Sequence, residues 1–194
     1  MTERAPVTAE NREIGRVAAA TFDGEPTVYT WWDDGRKNSV DILSCKDSPG
    51  EGLTAYATLT LSNHSLKGVE NDLRAELVGA CRSEVTAFAS VLSTCAFSVI
   101  ADGALLGPGV VFEGALAFYE PGTTVPHILF VPPFFWETGP KTLALPTRTV
   151  AWLQALPISD AELAHVKAEG AQSLLDLMEQ TRPDVFDIHR PSAV

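Results

Sequence analysis

Residues Thr149–Gln180 read TVAWLQALPISDAELAHVKAEGAQSLLDLMEQ, and the order of elements inside that run sets the fold class. TVAWLQALP, rich in β-branched, aromatic and large aliphatic residues, predicts the last strand of a sheet. Ser159-Asp160-Ala161-Glu162 follows at once as a capping box: serine and glutamate satisfy each other's free backbone donors at a helix start. Leu163 and Val166 continue that helix. Gly170 ends or kinks it, and Ala171, Leu174, Leu175 and Met178 carry on in a second piece.

Upstream lies FVPPFFWE, Phe130–Glu137. HILFV predicts a strand that Pro132 and Pro133 halt, because proline cannot donate to a ladder. Phe134, Phe135 and Trp136 cannot all point inward from a short irregular segment, so two of them are expected to plug the core, a role compatible with partner contact by the rest. Further back, GALLGPG predicts a glycine and proline turn leading into a strand over about Val110 to Phe118. In SEVTAFASVLSTCAFSVIADG, the residues Val85, Phe88, Leu92, Cys95 and Val99 recur at helical spacing and predict a helix packed on the sheet. RAELVGACR, LTAYATLTLS, SVDILSC and TVYTWWDDG predict four more strands, the last three of them in the manner of a meander. Thr8 can cap a first helix over residues 9 to 20, ended by Gly24 and Pro26. Strands, one helix, more strands and terminal helices describe an α+β domain with a mixed, mostly antiparallel sheet and packed helices. Residues 1–24 are expected to form an N-terminal helix packed on one domain over residues 25–194.

The 194 residues are 45% hydrophobic, enough to bury a core. Lys and Arg total 14 against 25 Asp and Glu, a net charge of -11. That balance excludes a dedicated nucleic-acid binder, which needs a basic face, and favours basic protein partners. No run approaches the ~20 apolar residues that span a bilayer, so a soluble, cytoplasmic protein without membrane contact is expected. Residues 159 to 189 hold seven acids against Lys167 and Arg182, a net -5, readable as a solvated helix face or a steering field.

Reaction chemistry is hard to find. The GALLGPG stretch lacks the Lys-Ser/Thr ending of a phosphate loop, and Pro108 removes an N–H that such a cradle would use. His64, His127, His165 and His189 show no metal-ligand spacing. Cys45, Cys81 and Cys95 lie inside apolar patterns, as buried free thiols do, and no serine sits at elbow spacing. Glu113, Glu120, Glu137 and Asp33-Asp34 lie near turns and receive no catalytic role. No metal or cofactor is expected. One enzymatic alternative stays open: a site assembled from distant residues, with His64 or His127 as general base beside an acid.

Binding chemistry is easier to place. Trp31 and Trp32 adjoin on a predicted strand, so their side chains point to opposite faces. An outward tryptophan is a candidate anchor, and Trp32 and Trp136 are the two assigned that role.

The C-terminal third also carries a resemblance. A strand ending L-x-x-x-P-I-S, a helix closed by Gly170, an L-L-D-L-M helix and the terminal D-x-x-R-P-S of DIHRPS together resemble the Suppressor of fused family. ATLTLSNHSL and RAELVGACR are similar to the family's earlier strands, so the resemblance runs over residues 25 to 193. It implies binding rather than catalysis. Animal members clasp a transcription-factor peptide between two lobes, and bacterial single-domain relatives act as immunity proteins beside polymorphic toxins. At 194 residues this chain is too short for a second lobe, so the same clasp is not implied. The resemblance places partner contacts on the connector after ATLTLS, with Asn63, His64 and Asp72 as polar candidates. The implied function is an immunity or regulatory protein that occludes a partner such as a basic toxin domain. The sequence leaves its oligomeric state open.

Overall fold

The computed structural model describes residues 6–69 and 72–194. Its helices are α1 (Ala9–Phe22), α2 (Phe88–Asp102), α3 (Asp160–Glu169) and α4 (Ala171–Thr181). Its strands are β1 (Pro26–Trp32), β2 (Ser39–Lys46), β3 (Leu53–Thr58), β4 (Leu73–Arg82), β5 (Val111–Phe112), β6 (His127–Val131), β7 (Leu143–Ala144) and β8 (Thr149–Ile158). All eight join one sheet in the order β1-β2-β3-β4-β8-β6-β5, with β7 added to β8. Every pairing is antiparallel except β4 with β8, where the chain returns after α2 and the β5–β7 region. The fold is α+β, as expected.

Side-chain parity along β8 defines the layers. Val150, Trp152, Leu156 and Ile158 are buried on one face, Leu153 and Ala155 on the other. Leu153 and Ala155 join the core under α2, with Phe88, Val91, Leu92, Cys95 and Val99. Val150 and Trp152 lie in the cluster under α1, with Ile14, Ala18 and Phe22. Leu156 and Ile158 lie under α3 and α4, with Leu163, Leu174 and Met178. The sheet is therefore sandwiched between α2 and a layer made of α1, α3 and α4.

The FVPPFFWE segment joins the two halves of that layer. Trp136 is buried beside Phe22, with ring centroids 4.8 Å apart. Phe135 packs against both the α1 cluster and the α3–α4 cluster, and Phe134 is left 49% exposed. Two aromatics plug the core and one does not. The double proline has no N–H to give, and the next two N–H groups, of Phe134 and Phe135, both donate to Oε1 of the fully buried Gln154 at 3.0 and 3.1 Å.

The Ser159–Glu162 capping box forms, and the Thr8 cap proves to be a second box with Asn11. Thr8 Oγ1 accepts from Asn11 N at 3.0 Å, and Ser159 Oγ accepts from Glu162 N at 3.1 Å. α2 starts at Phe88, a turn later than its apolar periodicity suggests, because residues 83–87 form turns. The strand expected over 110–118 is corrected to two residues, Val111 and Phe112, paired with Leu129 and Ile128. Beyond them Gly114 takes φ +73°, and Leu116 and Ala117 donate to Pro126 O instead of a neighbouring strand.

Candidate functional site

The β1–β2 hairpin turns just after Trp31 and Trp32, the last residues of β1, which pair with Val40 and Ser39. Trp31 packs half-buried against the α2 core, as alternation predicts for one of the pair. Trp32, also half-buried, lines a cleft of about 480 Å³ with Trp31, Asp34, Phe97, Asp102 and Phe118. An adjoining cleft of about 630 Å³ shares Thr94, Ser98 and Phe118 with it and extends to Leu105 and Glu113. Phe118, shared by both clefts, is 77% exposed, and Leu105, in the larger one, is 59% exposed, so two large apolar side chains stand bare on this face.

The surface is held rather than loose. Phe118 meets Tyr119 edge to face at 5.0 Å, and the Tyr119 hydroxyl is 2.6 Å from Thr94 Oγ1 on α2. Asp33 ties the hairpin by accepting from Lys37 N and Asn38 Nδ2, both at 2.7 Å. Desolvation raises the Asp33 carboxyl, but the Asn38 and Lys37 donors outweigh it and hold it below the usual carboxylate range. Arg36 stacks 5.5 Å from the Trp32 ring, leaving Asp34 and Asp102 as exposed acids at the rim. The surface thus sets exposed aromatic side chains beside exposed acids.

The sequence-derived residues do not form a single site. Asn63, in the 3-10 turn Leu61–Asn63, spends Oδ1 on Asn11 Nδ2 and Arg148 Nη2, both at 3.0 Å. His64 is half-buried, and desolvation lowers its pKa. Asp72 is exposed in the left-handed region, at φ 52°, with Arg74 Nη2 at 3.2 Å. Glu70 and Asn71 of the same connector lie outside the described residues. Trp136 is corrected as an anchor: it is 8% exposed, and its Nε1 donates to Ser48 Oγ at 3.3 Å, so its ring serves the core. Of the five, Trp32 alone lines either cleft over α2, the smaller one. Phe97, Leu105 and Phe118 were missed, although the position of Phe118, just before the Glu120-Pro121-Gly122 turn, was the available signal.

Two of the histidines are tied to named partners. His127 Nε2 lies 2.9 Å from Asp160 Oδ1, but Nδ1 accepts from Gly114 N at 2.9 Å. That second bond fixes the proton on Nε2, which donates to Asp160, so neither nitrogen is free to accept a substrate proton. The ring is buried in β6 and lines neither cleft over α2. His165 Nε2 is 2.9 Å from Ser173 Oγ, a link between α3 and α4. Burial pushes the Cys81 and Cys95 thiols up to about 12 and raises Cys45, in each case away from the thiolate. Among the described residues no group of histidine, cysteine and carboxylate side chains could hold a metal, and no helix is long and apolar enough to cross a membrane.

The fold is an eight-stranded α+β sandwich with an aromatic, acid-rimmed surface over α2. The profile of the Suppressor of fused protein family matches residues 36–191, and the chain belongs to that family. It is 44% identical over 190 residues to the immunity protein YqcF of Bacillus subtilis strain 168, spanning 97% of this chain and 99% of that one. Its fold resembles a Suppressor of fused homolog from Neisseria gonorrhoeae FA 1090, with TM-score 0.72 and 12% identity, covering 95% of this chain and 97% of the other. A chain of the Sufu–Fu complex matches with TM-score 0.68 and 14% identity, covering 97% and 93%.

Proposed function

We propose that this protein is an immunity protein that neutralises a toxin by covering it, without turnover, in the cytoplasm. The observation that carries the reading is its 44% identity, across nearly both full lengths, to a protein named for immunity. The surface over α2 suits such a role, because Trp32 and Phe118 supply aromatic anchors while Asp34 and Asp102 attract a basic face. A net charge of -11 extends that attraction beyond contact distance. The same architecture in a chain of the Sufu–Fu complex supports protein binding as the use of this fold.

The test is survival of cells co-expressing the chain with the toxin encoded beside it. The wild-type chain restores growth. Phe118→Ala and Trp32→Ala, both outside the fully buried core, each weaken toxin binding by about 2 kcal/mol or more and reduce protection. Cells that die regardless of the chain defeat the immunity reading. Full protection by the double variant moves the contact away from α2.

A further inference from the structure

We propose that the apolar groove beside α4 is a second docking surface, taken by a basic amphipathic segment of a protein partner. The groove, about 510 Å³, is lined by Phe134, Leu175, Met178, Glu179, Pro183 and Val185. It lies on the face of β8 that carries Leu156 and Ile158, whereas the Trp32–Phe118 surface lies over α2 on the opposite face. The proposal therefore stands apart from the immunity reading.

Phe134 is the reason to read the groove as a socket. Its side chain belongs to a residue 49% exposed, yet the backbone is fixed by the double proline and by the bonds from Phe134 N and Phe135 N to Gln154 Oε1. Edge-to-face contact with Phe135 at 5.0 Å holds the ring itself. An aromatic group ordered before binding loses little conformational entropy when a partner covers it. Met178, unbranched and polarizable, lets the floor adapt to the side chain that enters.

Charge selects the occupant. Among the described residues Glu179 is the one acidic side chain in the wall, and Asp176, itself outside the lining, is exposed a turn earlier on α4. Lys167 on α3 is engaged with Glu113 at 2.6 Å, and Arg182 lies at the α4 C-cap, outside the groove lining. A segment that seats one bulky apolar side chain and sets lysine or arginine one helical turn away satisfies both the groove and its rim. An acidic segment of the same shape is repelled.

The probe is a fluorescein-labelled synthetic helix of leucine and lysine, about 18 residues or five turns long, titrated with the full chain at about 0.15 M salt. A leucine–glutamate helix of the same pattern is the control. The expected result is saturable binding of the lysine helix. Phe134→Ala weakens it about tenfold, Glu179→Lys weakens it severalfold, and Trp32→Ala leaves it within about twofold. Equal affinity in Phe134→Ala, with its circular dichroism unchanged, overturns the proposal. So does equal binding of the glutamate helix. A chain that sediments as a dimer, and as a monomer once Phe134 is replaced, gives the groove to a second copy and overturns the proposal as well.

Discussion

Glu76 is a carboxylate with no surface at all. Its Oε2 accepts from Thr58 Oγ1 at 2.5 Å and Leu61 N at 3.2 Å, and its Oε1 accepts from Ser62 N at 2.9 Å. One side chain on β4 thereby fixes the 3-10 turn that opens the connector. Desolvation raises its pKa above the ordinary 4.5, more than the Thr58, Ser62 and Leu61 donors lower it. An acid whose folded pKa exceeds its unfolded one stabilises fully below the unfolded value, and that contribution is lost as pH rises through the folded pKa. Glu76→Gln offers one acceptor where three donors converge, and its amide N–H groups face at least one of them. We expect a loss of about 1–3 kcal/mol at pH near 5, measured by urea unfolding, with the gap to wild type narrowing as pH rises. A gap that widens with pH excludes a raised Glu76 pKa. Gly79, on the same strand, has a different constraint: a Cβ there would lie 2.7 Å from the ring of buried Phe88. Gly79→Ala is expected to cost about 1–3 kcal/mol through that overlap, and Phe88→Leu in the same chain should recover part of it.

A fully buried ion pair anchors the C-terminal segment, beside the bonds that Thr123 and Thr124 donate to Ile188 O and Arg190 O. Arg190 and Glu162 are 1% and 0% exposed, and the guanidinium meets the carboxylate twice, at 2.6 and 2.8 Å. The same carboxylate closes the α3 capping box by accepting from Ser159 N at 2.8 Å. Burial raises the Glu162 pKa, but Arg190 and the N–H groups of Ala193 and Ser159 more than reverse this and lower it. The pair therefore stabilises above the unfolded pKa and loses that contribution as pH falls through the folded one. Arg190→Ala strands a buried carboxylate, so the expected loss is about 3–5 kcal/mol near neutral pH. The loss should shrink as acid protonates Glu162, visible as unfolding curves that converge toward low pH. Curves that stay parallel place Glu162 in water. The capping box was legible in the sequence because its partners are three residues apart, and so were the two helices that follow it. The ion pair was not, because it joins residues 28 apart and nothing local marks Arg190 as buried. The strand read over 110–118 failed for a related reason: the run is apolar enough, but only Val111 and Phe112 have a neighbour to pair with. Leu116 is buried all the same, in the core under α2.

Across the whole molecule, what the sequence discloses is composition, and what it conceals is juxtaposition. Alternation singled out the Trp31–Trp32 pair, but the cleft they line also needs Phe97 from α2 and Phe118 from the loop after β5, more than sixty residues further along. Trp136 looked similar by chemistry and turned out to be core, since its exposure depends on Phe22 arriving from the other end of the chain. Charge needs no such assembly: -11 is a property of the whole, and its effect on association follows from Coulomb's law. A field of one sign raises the rate at which an oppositely charged partner arrives, and has far less influence on how long it stays. Salt shortens the reach of that field, from a Debye length of about 10 Å at 0.1 M to about 3 Å at 1 M. The association rate constant with the proposed basic toxin should therefore fall about tenfold or more between about 0.05 and 0.5 M NaCl, with the dissociation rate changing less than about threefold. Stopped-flow fluorescence of the cleft tryptophans reads both constants. Asp34→Asn with Asp102→Asn removes two exposed charges beside the aromatic surface without touching its packing, so the salt slope should flatten while dissociation stays as it was. If the double variant keeps the wild-type slope, steering comes from another face of the molecule; if dissociation instead accelerates about tenfold, those carboxylates are contacts rather than guides.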